Sequence, residues 1–216
     1  MNAWLTLLGT GIASFLVGGI PFGYLAGRMR GIDLRVAGSG NIGATNAIRV
    51  LGKAWGIPVF LLDVLKAFVP LVLVQHWAGN HPDLYPLEAQ VVLIIVAMGA
   101  VLGHNFCPYL GFKGGKGMAT SAGVLLALLP WSCLACFIMF WIFFGLTRYV
   151  SVASIAASVT LPISAFLFYP HKGWFCAMAL ILGVMAVWRH RSNIQRLRNG
   201  TELRFGQKKE TAEPAP

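Results

Sequence analysis

The sequence predicts an all-α integral membrane protein with seven transmembrane helices, its N-terminus outside and its C-terminus cytoplasmic. Three observations predict it. The 216 residues are 57% hydrophobic and only 11% charged, with mean hydropathy +0.70, whereas a soluble domain carries about 25% charged residues. A chain so poor in charge cannot cover a globule with a wettable surface, so the bilayer is its solvent. Apolar runs of bilayer-crossing length, or shorter ones that would need a tilt or a break, recur along the chain. Finally, the basic residues are concentrated in alternate connections between those runs.

The first run, 3–26, has no basic segment ahead of it and no small-residue cleavage site, so it reads as a retained span. The second, 55–78, carries Asp63 and Lys66 at i, i+3, expected to pair with each other inside the membrane. The third is 87–104. The stretch "MATSAGVLLALLPWSCLACFIMFWIFFGL" allows two readings: one long kinked helix, or two short helices (118–130 and 132–147) meeting at a hairpin at Pro130–Trp131. Cys133 and Cys136 form a C-x-x-C inside this stretch. With no second ligand pair they read as small packing residues. Runs 150–169 and 173–189 complete the set.

Charge decides the count. Of 17 Lys+Arg residues, all except Lys66 and Lys172 lie in four connections: 27–54, 105–117, 147–149 and the segment after 188. Basic connections stay cytoplasmic, and these four share one face only if Pro130–Trp131 is a hairpin. Seven spans follow. Residues 1–198 then form a single polytopic membrane domain, and the polar residues 199–216 are expected to be a disordered cytoplasmic tail.

Every glycine-dense polar segment falls on that same face. In "GSGNIGATNAIR", Gly38, Gly40 and Gly43 have the G-x-G-x-x-G spacing. A dinucleotide fold needs a βαβ unit around such a turn and an acidic residue about 20 positions on. Asp63 has the spacing but lies in an apolar span, so that reading fails. The physics of the turn survives: glycines let backbone N–H groups approach an anion, and a following helix N-terminus adds partial positive charge. Ser39, Asn41, Thr45 and Asn46 add short donors. Asn46, Arg49 and Lys53 share one helical face, from which Arg49 can close over a phosphate.

The second segment, "GHNFCPYLGFKGGKGMAT", is not a P-loop, since Leu110 and Gly117 occupy its two defining ends. It does set Lys116 among Gly114, Gly115 and Gly117, a flexible ammonium beside open backbone donors. His104 has the pKa range of a general base but stands equally well as a local cap. In "TRYVSVASI", Ser151, Ser154 and Ser158 share a face that suits helix packing, and the first two are also placed to donate to an anion. In "RHRSNIQRLRNGTE", His190 and Asn193 share a face able to meet a polar headgroup. The arginines around them read as anchors to anionic lipid.

These four segments resemble, in order and spacing across nearly the whole chain, the signatures of the bacterial acyl-phosphate:glycerol-3-phosphate acyltransferase family (the PlsY family). Cys107 is a small departure from a more Phe-rich pattern. The resemblance implies a seven-helix membrane enzyme of the inner membrane with a cytoplasmic active site. Its implied reaction moves a fatty acyl group from acyl phosphate to the 1-hydroxyl of glycerol 3-phosphate, the first step of phospholipid synthesis. It further implies that Ser39, Arg49, Lys116, His190, Asn193 and one of Ser151 or Ser154 form the polar site.

The residues themselves fit an activated donor: many phosphate-type groups, no metal cluster, no Ser–His–acid arrangement, and no call for a cofactor or an obligate protein partner. An H-x-x-x-x-D acyltransferase is excluded, because no histidine has Asp five residues on. Nucleic acid is excluded by bases split among short loops. The rival reading is a transporter for a phosphorylated metabolite, disfavoured by nearly chargeless connections on the far face.

Overall fold

The structure, a computed structural model, describes residues 2–85 and 87–206. The rest of the expected tail, 207–216, lies outside the described residues. The described chain is helical, with two short 3-10 turns and no strand. Its helices are α1 (Ala3–Gly19), α2 (Phe22–Met29), α3 (Ala44–Leu51), α4 (Lys53–Asn80), α5 (Ala89–Asn105), α6 (Met118–Leu128), α7 (Pro130–Thr147), α8 (Val150–Phe168), α9 (Gly173–Arg189) and α10 (Arg191–Arg198). Five apolar helical segments are long enough to cross a membrane: α1 with α2, α4, α5 with the turn after it, α7 and α8. A sixth arises if α9 is taken with α10, which bends away by 48°. The short helix α6 has 11 residues.

Each apolar run of the sequence therefore falls on a helix, with one correction. The first run is broken at Ile20–Pro21 rather than continuous. Proline has no N–H and leaves upstream carbonyls without helical partners. Other elements take them: Cys107 Sγ donates to Gly19 O at 3.1 Å and Lys66 Nζ to Ile20 O at 2.9 Å. The stretch around Pro130 is two helices. Leu129 leaves the helical region (φ −138°, ψ 60°) and Pro130 opens α7 at a position where its missing N–H costs nothing. Cys133 Sγ lies 3.9 Å from Ala122 O. Along one straight helix residues eleven apart would be separated by about 16 Å, so the chain folds back at Leu129.

Two features hold the bundle. The main core gathers Leu71 from α4, Val96 and Val101 from α5, Val124 from α6, Leu161 from α8, and Met178 and Leu182 from α9. α7 joins it only through Cys136, with Cys133 and Phe140 packed alongside, and turns Phe137, Trp141 and Ile142 outward, as a lipid-facing helix should. The second feature is a glycine crossing between α1 and α5. A Cβ built on Gly18 would lie 2.2 Å from Ala100 O, and one on Gly103 only 2.0 Å from Phe15 O. Ser14 Oγ donates across the same crossing to Val96 O at 2.6 Å. Small residues here let two backbones touch, the way helices associate where lipid offers no hydrophobic drive.

The connections separate into two ends. At one, Trp131 N donates to the Tyr169 hydroxyl at 3.1 Å, and Gln75, Gln90, Leu128 and Lys172 line a common cavity. At the other lie the glycine turn, the loop 106–117, the α7–α8 corner and α10. There Phe205 N donates to Arg148 O at 2.9 Å, so the segment that follows α10 docks back over the corner.

Candidate active site

The glycine turn is organised from within. Gly38 (φ 60°) and Gly40 (φ 72°) occupy the left-handed region that glycine adopts without a Cβ penalty. Asn46, only 1% exposed, clamps them. Its Nδ2 donates to Leu34 O, Ala37 O and Asn41 O at 3.2, 3.0 and 2.8 Å, while its Oδ1 accepts from Ser39 N at 2.8 Å. Asn41 Oδ1 accepts from Gly43 N at 2.8 Å. The expectation that Asn46 donates to an anion is thereby corrected: its amide is committed to the backbone. The expected shared face of Asn46, Arg49 and Lys53 is also interrupted. α3 ends at Leu51, Gly52 turns the chain at φ 89°, and Lys53 stands exposed at the start of α4. What the turn delivers is an exposed Ser39, a first turn of α3 at Ala44 and Thr45, and a half-buried Arg49 in the last turn.

The loop 106–117 is held from both sides. Below it, Gly115 N donates to His104 O at 3.0 Å. Above it, Arg189 Nε donates to Gly115 O at 3.0 Å and Nη2 to Gly114 O at 3.0 Å. Arg189 is thus not a lipid anchor, as its flanking position suggested; its guanidinium faces inward, 5.6 Å from the Phe106 ring centroid. Gly117 (φ 75°) caps α6. Fixing the loop carbonyls on Arg189 leaves its remaining N–H groups and the first turn of α6 to an anion. Asn105, 1% exposed with both amide atoms unpartnered, touches Gly117. Sequence reading did not single it out.

Lys116 reaches from this loop to α10. Its Nζ donates to Asn193 Oδ1. Asn193 Nδ2 donates to Glu202 Oε1 at 2.6 Å, and Arg196 Nε to Glu202 Oε2 at 2.7 Å. Ser151 faces the same carboxylate without a well-formed hydrogen bond. Glu202 thus gathers α8, α10 and, through Asn193, the glycine loop, and Arg49 of α3 lies within range of its charge. His190 sits at the α9–α10 break, 2% exposed. His190 and Asn193 face this cluster, not a headgroup outside it, and Arg196 pairs with Glu202 in place of lipid. Of the sequence-chosen residues, Arg49, Lys116, Ser151, His190 and Asn193 are brought together. Ser39 joins only through α3, and Ser154 lies one turn deeper in α8, also buried.

Burial and neighbours set the charges. Burial works against Glu202 ionising, but hydrogen bonds from Asn193 and Arg196, the nearby Ser151 hydroxyl and the Arg196 charge outweigh it and hold its pKa below the usual carboxylate value. Burial pushes His190 down to about 4, with the Lys116 charge adding to it. His190 is therefore neutral at physiological pH. Its Nδ1 donates to Ala186 O at 2.8 Å, leaving Nε2 as an acceptor. Burial lowers Lys116 to about 8; Glu202 resists the shift and the neighbouring arginines add to it. Lys116 is charged below pH 8 and loses its charge above it. For a phosphate-bearing substrate, kcat/KM is expected to fall about tenfold per pH unit above 8, because this constant reports the free enzyme. Lys116→Arg should remove that alkaline limb, since a guanidinium stays protonated. A pH profile of the two proteins checks it.

A family model described as glycerol-3-phosphate acyltransferase matches residues 8–200. Among curated relatives, the glycerol-3-phosphate acyltransferase of Aquifex aeolicus is 43% identical over 90% of this chain and 96% of its own. That of Thermosynechococcus vestitus is 43% identical over 90% and 93%. Among solved structures, an integral membrane glycerol 3-phosphate acyltransferase, PlsY (YgiH), in its glycerol 3-phosphate form superposes with a TM-score of 0.81 at 40% identity, over 93% of this chain and 96% of that one. Its lysophosphatidic acid form gives 0.79 at 39% identity, over 93% and 95%. The chain belongs to the glycerol-3-phosphate acyltransferase family.

Proposed function

We infer that this protein transfers a fatty acyl group from acyl phosphate to the sn-1 hydroxyl of glycerol 3-phosphate, releasing lysophosphatidic acid and phosphate. The observation that carries the reading is the Lys116–Asn193–Glu202–Arg196 chain with Arg49 beside it, a cationic pocket assembled from segments distant in sequence. Such a pocket neutralises a phosphate and stabilises charge that grows on a departing one. It offers no nucleophile poised beside a base, and an acyl phosphate needs none. The hydroxyl oxygen attacks the acyl carbon, the carbon–oxygen bond to phosphate breaks, and the hydroxyl proton leaves with the phosphate. Arg49 and Lys116 hold the phosphate of glycerol 3-phosphate and, beside the departing phosphate, take up its developing charge. In the glycine segments the N–H groups of Ser39, Gly40, Gly43 and Gly115 are already taken within the protein, so Gly38, Asn41, Thr45, Gly114, Lys116 and Gly117 supply the backbone donors. His190 is too weak a base to hold the proton; its Nε2 orients the hydroxyl.

Of the two candidate serines, Ser154 is the one for the substrate, because Ser151 already faces Glu202. In this reading the chain is one polytopic domain of seven spans in the bacterial inner membrane, N-terminus periplasmic, with lipid around it and the site open to the cytoplasm. The fold-back at Leu129 and the gathering of basic connections at one end support that topology. Purified protein given glycerol 3-phosphate with either acyl phosphate or acyl-CoA tests the assignment. Lysophosphatidic acid is expected from acyl phosphate alone. Product formed equally from acyl-CoA would reject the donor, and no product from either would reject the reaction.

A further inference from the structure

Asp63, Lys66 and His104 lie inside the bundle at 2%, 5% and 5% exposure. The sequence paired the first two; the structure adds the third. Lys66 Nζ is 2.7 Å from Asp63 Oδ1, 2.9 Å from His104 Nδ1 and 2.9 Å from Ile20 O. The Asp63 contact is an ion pair without hydrogen-bond geometry, and an ammonium can only donate. His104 Nδ1 must then accept, and the ring proton sits on Nε2. That atom faces the glycine loop, for a Cβ on Gly115 would lie 2.1 Å from it, and one on Gly114 2.0 Å from His104 O. Among the described residues nothing accepts a hydrogen bond from it. A buried ion pair is weak evidence for stability, because well-packed apolar residues replace such pairs at little cost. Inside a membrane, ionisable groups call for a function.

We propose that Asp63 and Lys66 lock His104 as the floor of the Gly114–Gly117 loop, making the three positioning residues for the site that holds the phosphate of glycerol 3-phosphate. This rests on the function inferred above. Three elements meet at Lys66: the α1–α2 break through Ile20, α4 itself, and α5 through His104. His104 sets the loop from below through its carbonyl and its ring, while Arg189 holds the same two glycines from above. Lys116 leaves the loop one residue later, so the height of the floor fixes where its ammonium stands. Nothing in the trio touches the reacting acyl carbon in this arrangement. Its loss should therefore weaken capture of glycerol 3-phosphate more than turnover.

The test pairs a charge-neutral double variant, Asp63→Leu/Lys66→Met, with His104→Asn, which keeps an acceptor near the Nδ1 position for Lys66 but removes the ring floor. Thermal unfolding in detergent is followed beside steady-state kinetics with acyl phosphate and glycerol 3-phosphate. Folded variants whose KM for glycerol 3-phosphate rises about tenfold, with kcat and the KM for acyl phosphate within about twofold of wild type, support the proposal. Folded variants with an unchanged KM for glycerol 3-phosphate overturn it. So does a failure of both variants to fold, which assigns the trio to the fold alone. Wild-type protein in the same assay separates the two ideas. Absence of acyl transfer there defeats the function and this proposal together, whereas wild-type turnover with unaltered variants defeats this proposal only.

Discussion

Alanine in place of Lys116 is expected to lower kcat/KM for acyl transfer by about 100- to 1,000-fold, the range found when one preorganised donor to developing charge is removed. The protein should remain folded, because Lys116 is anchored by its side chain to one residue, Asn193, while the loop around it stays tied to His104 and Arg189. Asn193 would lose its charged partner but keep its bond to Glu202, so α10 stays in place. Steady-state kinetics beside thermal unfolding checks both halves. The effect belongs in kcat as well as KM, since the ammonium serves the charge that grows as the phosphate departs. That pattern differs from the one expected of the buried trio beneath the loop.

The largest effect on stability is expected at Gly103. Leucine there places carbon where Phe15 O and Gly19 N already lie, 2.0 and 2.8 Å from a Cβ. Overpacking against a movable side chain costs about 1–3 kcal/mol, but these atoms are backbone of α1 and cannot turn aside. The variant should lose more than about 3 kcal/mol, seen as failure to purify as a single species. Gly9→Leu, on α1 with nothing within 4 Å of its Cβ, should purify normally. The crossing also carries the α1–α2 break whose Ile20 carbonyl receives Lys66, so Gly103 supports the site as well as the bundle.

Much of this was legible in the sequence because membrane helices announce themselves by composition. The apolar runs, the turn at Pro130 and the gathering of basic connections follow from hydropathy and charge alone. Lys116, His190 and Asn193 could be chosen because polar and flexible groups among glycines have few other uses. The misreadings share one cause: tertiary partners are invisible in a sequence. Asn46 looked like a free donor, yet the carbonyls of Leu34, Ala37 and Asn41 fold around it. Arg189 and Arg196 looked like lipid anchors because basic residues flank most spans; only the fold brings the Gly114 and Gly115 carbonyls and Glu202 to them. Glu202 carried one signal, that it is the sole acidic residue within the four quoted polar segments, and a buried acid amid cations is where a pocket is tied together. The break at Pro21 was also visible as a residue, but its consequence depended on Lys66 and Cys107 arriving from elsewhere to take the freed carbonyls.

The central claim is that groups from distant segments act on one phosphate. Equilibrium binding of glycerol 3-phosphate to the wild type, Lys116→Ala, Arg49→Ala and the double variant tests it most directly. If both cations hold the same substrate, removing the second costs much less or much more than removing it first. The predicted result is a coupling of about tenfold or more in Kd between the two substitutions. Strictly additive losses, or binding indifferent to either residue, would contradict a shared site.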